Sequence, residues 1–268
     1  RLLDALLDQA ALAIERVNLV ADVERARIAV ETERLRSALL TSISHDLRTP
    51  LASILGAATS LKSYDAVLDQ TAKGELVSTI QDEAERLNRF IGNLLDMTRL
   101  EAGAIEPQGD LVDLGDVVGS ALGRAAKVLT DHLIEVELDP NLPLVKVDPV
   151  LLEQVLFNLL DNAAKYTPQG TKVLMRAQRE GSSVRLDIID EGKGIPDADR
   201  ERIFDKFYRI QAADRKRAGT GLGLAIGRGF IEAMGGAITV TNRTDRSGAI
   251  FTIRLPAKPQ DQSDERAR

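Results

Sequence analysis

A histidine flanked by an acid and a hydroxyl is the first place in this sequence where chemistry could occur. His45 stands in the run SHDLRTPL, residues 44–51, and is one of two histidines in 268 residues. Apolar residues recur around it at steps of three and four, which predicts a helix with His45 on its solvent side. An exposed imidazole can act as a nucleophile or carry protons. The neighbouring Asp46, Thr49 one turn later and Pro50, where we expect a kink, argue against an ordinary surface histidine, which remains the alternative.

A polar face on a predicted helix over 148–166 is the second candidate. Asn158, Asp161, Asn162 and Lys165 follow one another at spacings of three and four, and Asn158, Asn162 and Lys165 share one face. Carboxamide oxygens suit a hydrated divalent ion, and a lysine ammonium suits phosphate. The face could simply be solvated. Two asparagines in the centre of a helix nevertheless lower its helix propensity, which indicates a compensating role.

An acidic residue followed by two glycines forms the third candidate. Asp190, Gly192 and Gly194 come directly after a predicted strand. The glycines allow the backbone to approach a ligand closely, and the carboxylate could accept a hydrogen bond from an exocyclic amine such as that of adenine. A plain turn is the alternative.

The fourth candidate is the run GTGLGLAI, residues 219–226, which leads directly into a predicted helix. Free backbone N–H groups at the start of a helix form an anion site, so phosphate fits there. The run lacks the Gly-Lys-Ser/Thr of a Walker loop. It also does not follow a strand, as the glycine turn of a Rossmann fold does.

A basic segment, residues 211–218, lies just before this glycine run and is preceded by Phe204, Phe207, Tyr208 and Arg209. Its composition and its glycine boundary are typical of a mobile lid. The guanidinium of Arg209 suits phosphate.

A helical hairpin is predicted to carry His45. Its first helix has an apolar stripe between Leu40 and Leu61, a polar break covers Ser63–Gly74, and a second amphipathic helix runs from Leu76 to Thr98 and ends at Gly103. Each helix of a lone hairpin buries only one stripe. We therefore expect a homodimer in which two copies form a four-helix bundle.

The N-terminal 36 residues predict a long helix that leads into this hairpin. Apolar residues between Leu3 and Ala21 keep the spacing of a coiled-coil seam, and residues 22–36 are rich in charge. The charged stretch is either a solvated helix face or a rigid rod that carries a signal towards His45.

Beyond Gly103 the pattern changes to short β-like runs between helices, which predicts an α+β domain. A polar, charged tail beyond Pro256 is expected to be disordered. The predicted elements are strands at 111–112 and 134–138 around a helix at 114–129, a helix at 148–166 with Asp148 as N-cap, a β-hairpin of 172–179 and 183–189, an element at 203–209, a helix at 223–234, and strands at 237–242 and 249–255.

Composition narrows the function classes. A net charge of -6 and a pI near 5.2 argue against generic nucleic-acid binding, and the absence of cysteine excludes disulfides and thiolate metal sites. No run of 18 apolar residues occurs, so we expect no membrane contact by this stretch of chain. The sequence begins without methionine in a helical pattern, and we expect it to be part of a longer protein.

Taken together, in this order and spacing, the four motifs resemble those of the sensor histidine kinases of two-component systems. Residues 44–50 are similar to their phospho-acceptor box, and the three later motifs are similar to the asparagine box, first glycine box and lid-glycine box of their ATP-binding domain. The resemblance covers residues 37–256. Within this family, the sequences of residues 44–51 and 95–100 most resemble those of the potassium-sensing Kdp-type kinases. Residues 1–20 resemble the last helix of a GAF domain, which that group also carries.

The resemblance implies a division into domains. Residues 1–36 would be a signalling helix, 37–104 the dimerisation and histidine phosphotransfer domain, 105–257 an α/β-sandwich ATP-binding domain of the GHKL (Bergerat) type, and 258–268 a disordered tail. It also implies that this portion is cytoplasmic and that the full-length protein is anchored in the bacterial inner membrane.

The resemblance further implies ATP and Mg²⁺ as cofactors. Asn158 and Asn162 would serve the Mg²⁺ site, with Asn162 as the direct ligand. Lys165 and Arg209 would hold phosphates, and Tyr166 would lie against the nucleotide.

The remaining implied contacts come from the two glycine motifs. Asp190 would read the adenine amine, and Gly192 and Gly194 would admit the ring. The lid-glycine box would close over the phosphates, and its residues are Gly219, Thr220, Gly221, Leu222 and Gly223.

The implied activity is ATP-dependent autophosphorylation of His45, with Asp46 orienting the imidazole or taking its proton. The phosphoryl group would pass to an aspartate in the receiver domain of a response regulator, and Thr49 would orient water for the regulator's dephosphorylation. Two alternatives remain. One is a GHKL-type ATPase or nucleotide-gated dimer clamp without phosphohistidine, and the other is a nucleotide-binding scaffold without catalysis.

Overall fold

The computed structural model describes residues 46–210 and 220–257, together with residues 16, 19, 23, 26, 27, 43 and 44. The chain divides into two compact units, Arg1–Asn88 and Arg89–Arg268, and each is considered by itself. His45, Gly219 and the C-terminal tail lie outside the described residues, as do the predicted GAF-like helix and the charged rod except for residues 16, 19, 23, 26 and 27, which are helical. None of the helices in the described ranges is long and apolar enough to cross a bilayer.

The first unit contains helix α1, residues 46–63, and most of helix α2, Gln70–Glu101. The helical assignment of α1 continues through Pro50. The predicted break at Ser63–Gly74 is too long, because Gly74 lies inside α2. The helix begins earlier since the Asp69 carboxylate accepts a hydrogen bond from Ala72 N at 2.7 Å, and this capping bond outweighs the cost of one helical glycine.

The apolar stripe predicted for α1 is only partly buried within one chain. Leu47 and Ile54 are half-buried, but Leu51 and Leu55 are 57% and 66% exposed. Val77 on α2 is exposed as well. Two helices can cover one face of each other and no more, so an apolar surface remains on this hairpin.

Helix α2 ends within the second unit, where the prediction of a stop at Gly103 is confirmed. Gly103 has a φ of +63°, a left-handed conformation that glycine adopts without strain. The amides of Gly103 and Ala104 donate to the carbonyls of Leu100 and Arg99 at 3.0 and 2.9 Å, which satisfies the last turn.

The second unit is the predicted α+β layer, and it is built on a five-stranded sheet. The strand order is β2-β4-β5-β7-β6, with β2 parallel to β4 and the other pairs antiparallel, and β1 and β3 form a separate antiparallel pair. The elements in chain order are β1 Asp110–Val112, α3 Leu114–Ala125, β2 Leu133–Leu138, β3 Val145–Val147, α4 Pro149–Tyr166, β4 Lys172–Glu180, β5 Ser183–Ile189, α5 Gly223–Ala233, β6 Ala237–Asn242 and β7 Ala249–Pro256.

The core of this unit lies between one face of the sheet and the three helices α3 to α5. Leu152, Leu156 and Leu160 repeat at every fourth position of α4 and are fully buried, as are Met175 on β4 and Leu186 on β5. The period of four on the helix and of two on the strands places each set on one face, so both faces are removed from water together.

Local capping chemistry explains why α4 starts where the sequence predicts. The Asp148 carboxylate accepts from the amides of Val150 and Leu151 at 3.0 and 3.2 Å, and Pro149 occupies the first helical position, which needs no N–H donor. The start of α4, the helix that carries Asn158 and Asn162, is therefore determined by the consecutive residues Asp148 and Pro149.

Three features of the second unit depart from the prediction by more than two residues or by the type of element. Helix α3 ends at Ala125, four residues early, because the chain turns there towards β2. The strand β3 was not predicted, since three residues carry too little pattern and are stabilised by pairing with β1. Residues 203–209 do not form one element, because only Arg202–Phe204 makes a short 3₁₀ turn.

Candidate nucleotide-binding site

The asparagine face of α4 lies against the start of α5. The Nδ2 of Asn158 donates to the carbonyl of Gly223 at 3.3 Å across 65 positions of sequence. A Cβ at Gly223 would stand 3.6 Å from the Asn158 carboxamide carbon, so the two segments approach closely. Asn162 lies one turn further along the same helix and is half-buried. The structure thus brings two of the predicted motifs together.

The start of α5 offers the anion site that the glycine run predicts. Leu222 is fully buried, and its amide donates to Thr220 Oγ1 at 3.3 Å, which turns the chain into the helix. The N-cap residue Leu222 has an apolar side chain and does not cap the first turn of α5. The amide groups of that turn point along the helix axis with the positive end of the helix dipole, an arrangement that binds phosphate.

The Lys165 ammonium forms an ion pair with Asp161, one turn earlier on α4. Both side chains are partly exposed, and such a pair contributes about 1 kcal/mol or less. A phosphate group can therefore compete with Asp161 for the ammonium.

A single carboxylate oxygen of Asp190 organises the loop after β5. Asp190 is 8% exposed, and its Oδ1 accepts from Gly192 N at 2.8 Å and from Ala249 N at 3.0 Å. Burial raises the pKa of Asp190, while these two bonds and the nearby Arg243 oppose the rise. Both bonds use Oδ1, so Oδ2 can accept a hydrogen from a ligand.

The glycines of this loop fit against the protein itself. A Cβ at Gly192 would come within 3.1 Å of the Tyr166 carbonyl oxygen, where α4 ends. Gly194 has a φ of +74°, and a Cβ there would lie 2.9 Å from Asn242 Oδ1. Their small size is therefore already required by the end of α4 and by β6, in addition to any role in admitting a ring.

The second histidine of the chain, His132, contacts Thr167, which packs next to loop 190–195. The buried hydroxyl of Thr167 donates to the Ala163 carbonyl at 2.7 Å, so it accepts from His132 Nε2, 2.9 Å away. With the hydroxyl proton directed at Ala163, Nε2 of His132 is the donor in this pair. The methyl group of Thr167 lies next to Gly192, since a Cβ there would be 3.3 Å from it. By binding Thr167, His132 therefore helps to support loop 190–195.

A backbone hydrogen bond joins residues 207 and 221, which lie on either side of residues 211–219 in the sequence. Phe207 N donates to the Gly221 carbonyl at 3.0 Å, and a Cβ on Gly221, whose φ is +69°, would come within 2.8 Å of the Phe207 carbonyl carbon. Phe207 itself has a φ of +62°, which is rare for a residue with a side chain. Strain of this kind clusters at functional sites.

The side chain of Tyr208 fixes the stretch that leads into this segment. Its hydroxyl donates to Asp199 Oδ1 at 2.6 Å, a bond that raises the pKa of Tyr208, and the Arg202 guanidinium lies 4.4 Å from the centre of its ring. Arg209, the predicted phosphate ligand, follows directly and is half-buried.

The predicted phospho-acceptor motif belongs to the first unit. Asp46 is half-buried and Thr49 is exposed on α1, one helical turn apart. His45 itself lies outside the described residues. The structure therefore shows how the three later motifs lie together, whereas the position of His45 on α1 remains a prediction from the sequence.

Asn242 is a site residue that the sequence interpretation missed. It ends β6, and its carboxamide meets loop 190–195. The sequence offered only a weak signal for this role. Asn242 and Gly248 lie at the two ends of a polar turn between two apolar strands.

Comparisons with known proteins give matches to both parts of the chain. Residues 35–103 match the family described as "His Kinase A (phospho-acceptor) domain", and residues 147–259 match "Histidine kinase-, DNA gyrase B-, and HSP90-like ATPase". The sensor protein KdpD of Clostridium acetobutylicum is 39% identical over 94% of this chain. That match spans only 28% of the length of KdpD.

Two solved structures are similar as well. The mycobacterial sensor histidine kinase MprB is 33% identical, with a TM-score of 0.50, and the match covers 57% of this chain and 99% of that one. The Acinetobacter baumannii histidine kinase AdeS is 28% identical, with a TM-score of 0.62, and the match covers 80% of this chain and 98% of that one.

Proposed function

Because this chain belongs to the sensor histidine kinases of two-component systems, we propose that it uses ATP to phosphorylate His45 and then passes the phosphoryl group to an aspartate of a response regulator. One observation carries the proposal: the Asn158 carboxamide binds the first residue of α5, Gly223. The asparagine face of α4 therefore adjoins the helix start that is best suited to phosphate.

The nucleobase would bind at loop 190–195. Oδ2 of Asp190 would accept a hydrogen bond from the adenine amine, because Oδ1 is held by Gly192 N and Ala249 N. Tyr166 would lie against the nucleotide, since its backbone adjoins Gly192. Gly194 completes the loop and would admit the ring.

The phosphates would lie between α4 and the start of α5. Lys165 and Arg209 would hold them by charge, and segment 219–223 would close over them. Asn162 would be the direct ligand of Mg²⁺, with Asn158 in support. Among the described residues no group of three or more His, Cys, Asp or Glu side chains could hold a metal ion, so carboxamide, phosphate and water oxygens suit the ion here. Bound Mg²⁺ would neutralise phosphate charge.

In the reaction, a ring nitrogen of His45 attacks the γ-phosphorus of ATP. The new N–P bond forms as the bond from phosphorus to the β–γ bridging oxygen breaks, and ADP leaves. Asp46 orients the imidazole or takes its proton. The phosphoryl group then moves to a carboxylate oxygen of the receiver aspartate, and Thr49 orients the water that later hydrolyses that phosphoaspartate.

The working form would be a homodimer. Leu51, Leu55 and Val77 leave apolar surface on the hairpin of one chain, and a second copy would cover it in a four-helix bundle. The proposed domain limits are 37–104 and 105–257, and the matches to residues 35–103 and 147–259 lie largely within them.

The wider protein would be a Kdp-type potassium sensor. The match to KdpD supports this assignment, and the remaining length of that relative leaves room for a sensing region and a membrane anchor outside this chain. The portion described here would act on the cytoplasmic side.

Incubation with γ-³²P-labelled ATP tests the proposal. The chain should acquire label that is stable to base and labile to acid, as expected for phosphohistidine, and the His45→Gln variant should acquire none. His132→Gln changes the other histidine; it weakens the support of loop 190–195, yet at saturating ATP it should still be labelled, because His45 is intact. Thr49→Ala should be labelled normally but dephosphorylate the regulator more slowly.

The same assay separates the alternatives. Free phosphate from ATP with no labelled protein would indicate an ATPase or dimer clamp. ATP binding by calorimetry without label or free phosphate would indicate a scaffold. Label that persists in His45→Gln would refute the assignment of His45.

A further inference from the structure

Loop 190–195 is held in place by a turn that lies elsewhere in the sequence, residues 242–249 between β6 and β7. Asn242 makes the central contact. Its Nδ2 donates to the Ile195 carbonyl at 2.8 Å, and its Oδ1 accepts from Ile195 N at 2.8 Å. One carboxamide thus satisfies both backbone polar groups of Ile195, as a neighbouring strand would do.

The other end of turn 242–249 contacts the beginning of the loop. Ser247 Oγ donates to the Gly192 carbonyl at 2.6 Å, and Ala249 N donates to Asp190 Oδ1 at 3.0 Å. At Gly248 the two backbones approach so closely that a Cβ would lie 2.1 Å from the Asp190 carbonyl oxygen. Both ends of the loop are therefore tied to one turn.

Charge pairs add to these bonds. One carboxylate oxygen of Glu191 lies 2.9 Å from Arg246 and 3.8 Å from Arg243, and the other accepts from Lys172 N at 3.2 Å. The side chains of Arg243 and Glu191 are 15% and 21% exposed, so this ion pair is better shielded from solvent than an ordinary surface pair. Arg243 is held in turn by Asp245 at 2.7 Å.

If turn 242–249 only reversed the direction of the chain between β6 and β7, it would not need polar side chains that bind another loop. The polar side chains of Asn242, Ser247 and Arg246 all bind loop 190–195, which lies between β5 and a short 3₁₀ turn at Asp197–Asp199. Their bonds fix the loop at Gly192 and Ile195, on either side of Gly194, and they support the orientation of Asp190.

We infer that turn 242–249 is a positioning element for the nucleobase, and that Asn242 is its principal positioning residue. This inference rests on the proposed binding of adenine at Asp190. Without the Asn242 carboxamide the Ile195 backbone loses both partners, and the loop no longer presents Oδ2 of Asp190 in one orientation. The phosphate end, built from Asn158 and the start of α5, is left unchanged.

Binding measurements on the whole chain test the inference. Calorimetry is carried out with ATP and with inorganic tripolyphosphate, which lacks the nucleobase. Asn242→Ala should weaken ATP binding about tenfold, the scale of hydrogen bonds lost from a folded loop, and leave tripolyphosphate binding within about twofold. Ser247→Ala should act in the same direction by about threefold.

Arg254→Gln is the matched control. It removes the 2.8 Å ion pair with Glu180, a partner that lies on β4 and not in loop 190–195, while the substitution stays on the same hairpin as Asn242. Its ATP affinity should equal that of the unmodified chain. Hydrogen exchange gives a readout that needs no ligand: the amides of residues 191–195 should exchange about tenfold faster in Asn242→Ala and at the normal rate in Arg254→Gln.

Each outcome decides the question. Unchanged exchange in loop 190–195, or an ATP affinity of Asn242→Ala equal to that of Arg254→Gln, would overturn the inference. A parallel loss of ATP and tripolyphosphate binding would also overturn it, because it would mean general damage to the site. If the unmodified chain bound no ATP, the proposed function would fail instead, and the exchange rates would still show whether the turn holds the loop.

Discussion

The two units of this protein differ in what a single chain can complete. In the second unit Leu152, Leu156 and Met175 are fully buried, and three distant segments meet around the candidate site. In the first unit Leu51 and Leu55 remain largely exposed, although they lie on the helix that carries the histidine motif. The comparison indicates that the second unit closes its core within one chain, whereas the hairpin leaves an apolar surface that a second copy would cover.

Truncation of one leucine in each unit tests this difference with the largest expected effect. Leu156→Ala should lower the free energy of unfolding of the second unit by about 2–5 kcal/mol, because it leaves a cavity in a closed core. Leu55→Ala should change the free energy of unfolding of the second unit by about 0.5 kcal/mol or less, because Leu55 lies on the exposed face of α1. It should instead weaken dimerisation. Urea unfolding followed by circular dichroism, together with light scattering at several protein concentrations, measures both. Equal loss of stability in the two variants would contradict the comparison.

Replacement of Asp190 by asparagine sharpens the comparison within the second unit. The side-chain oxygen of asparagine can still accept from Gly192 N and Ala249 N, but the remaining group is a donor that faces the adenine amine. ATP affinity should fall between about tenfold and a hundredfold, as for the loss of a hydrogen bond to a charged group. Calorimetry measures this loss, and dimerisation should be unaffected.

The same variant has a defined pH dependence. Burial raises the pKa of Asp190 in the folded state above its unfolded value, so the ionised carboxylate destabilises the fold above that pKa. The contribution of Asp190 to stability should therefore improve as the pH falls through the folded pKa. Asp190→Asn should remove this dependence and be at least as stable as the unmodified chain at neutral pH. Thermal unfolding across the acidic range measures it, and a less stable Asp190→Asn at neutral pH would contradict it.

The ion pair of Lys165 with Asp161 gives the smallest expected effect. Asp161→Asn should change stability by less than about 1 kcal/mol, because the pair is partly exposed. It should strengthen ATP binding severalfold, since phosphate no longer competes with a carboxylate for the ammonium. Titration at low and high salt measures the effect, which should shrink as salt screens the charges. Weaker binding would mean that Asp161 orients Lys165 for the phosphate.

Elements that depend on consecutive residues were predictable. Asp148 and Pro149 determine the start of α4, and Gly103 the end of α2. The β4–β5 hairpin turns at Gly181, whose φ is +64°, and was predicted from the alternation of its strands. The predicted break between α1 and α2 extends too far, because the Asp69 carboxylate caps a helix that begins at Gln70 and contains Gly74.

The sequence by itself determined the residue types and spacing of the four motifs, because helix periodicity, caps and glycine turns act over a few neighbouring positions. Only the tertiary structure decided which motifs meet. The bond of Asn158 to Gly223 spans 65 positions, and that of Asn242 to Ile195 spans 47. No local pattern specifies such partners, since any exposed polar group can bind water until the packing of the sheet and helices brings one particular partner to it.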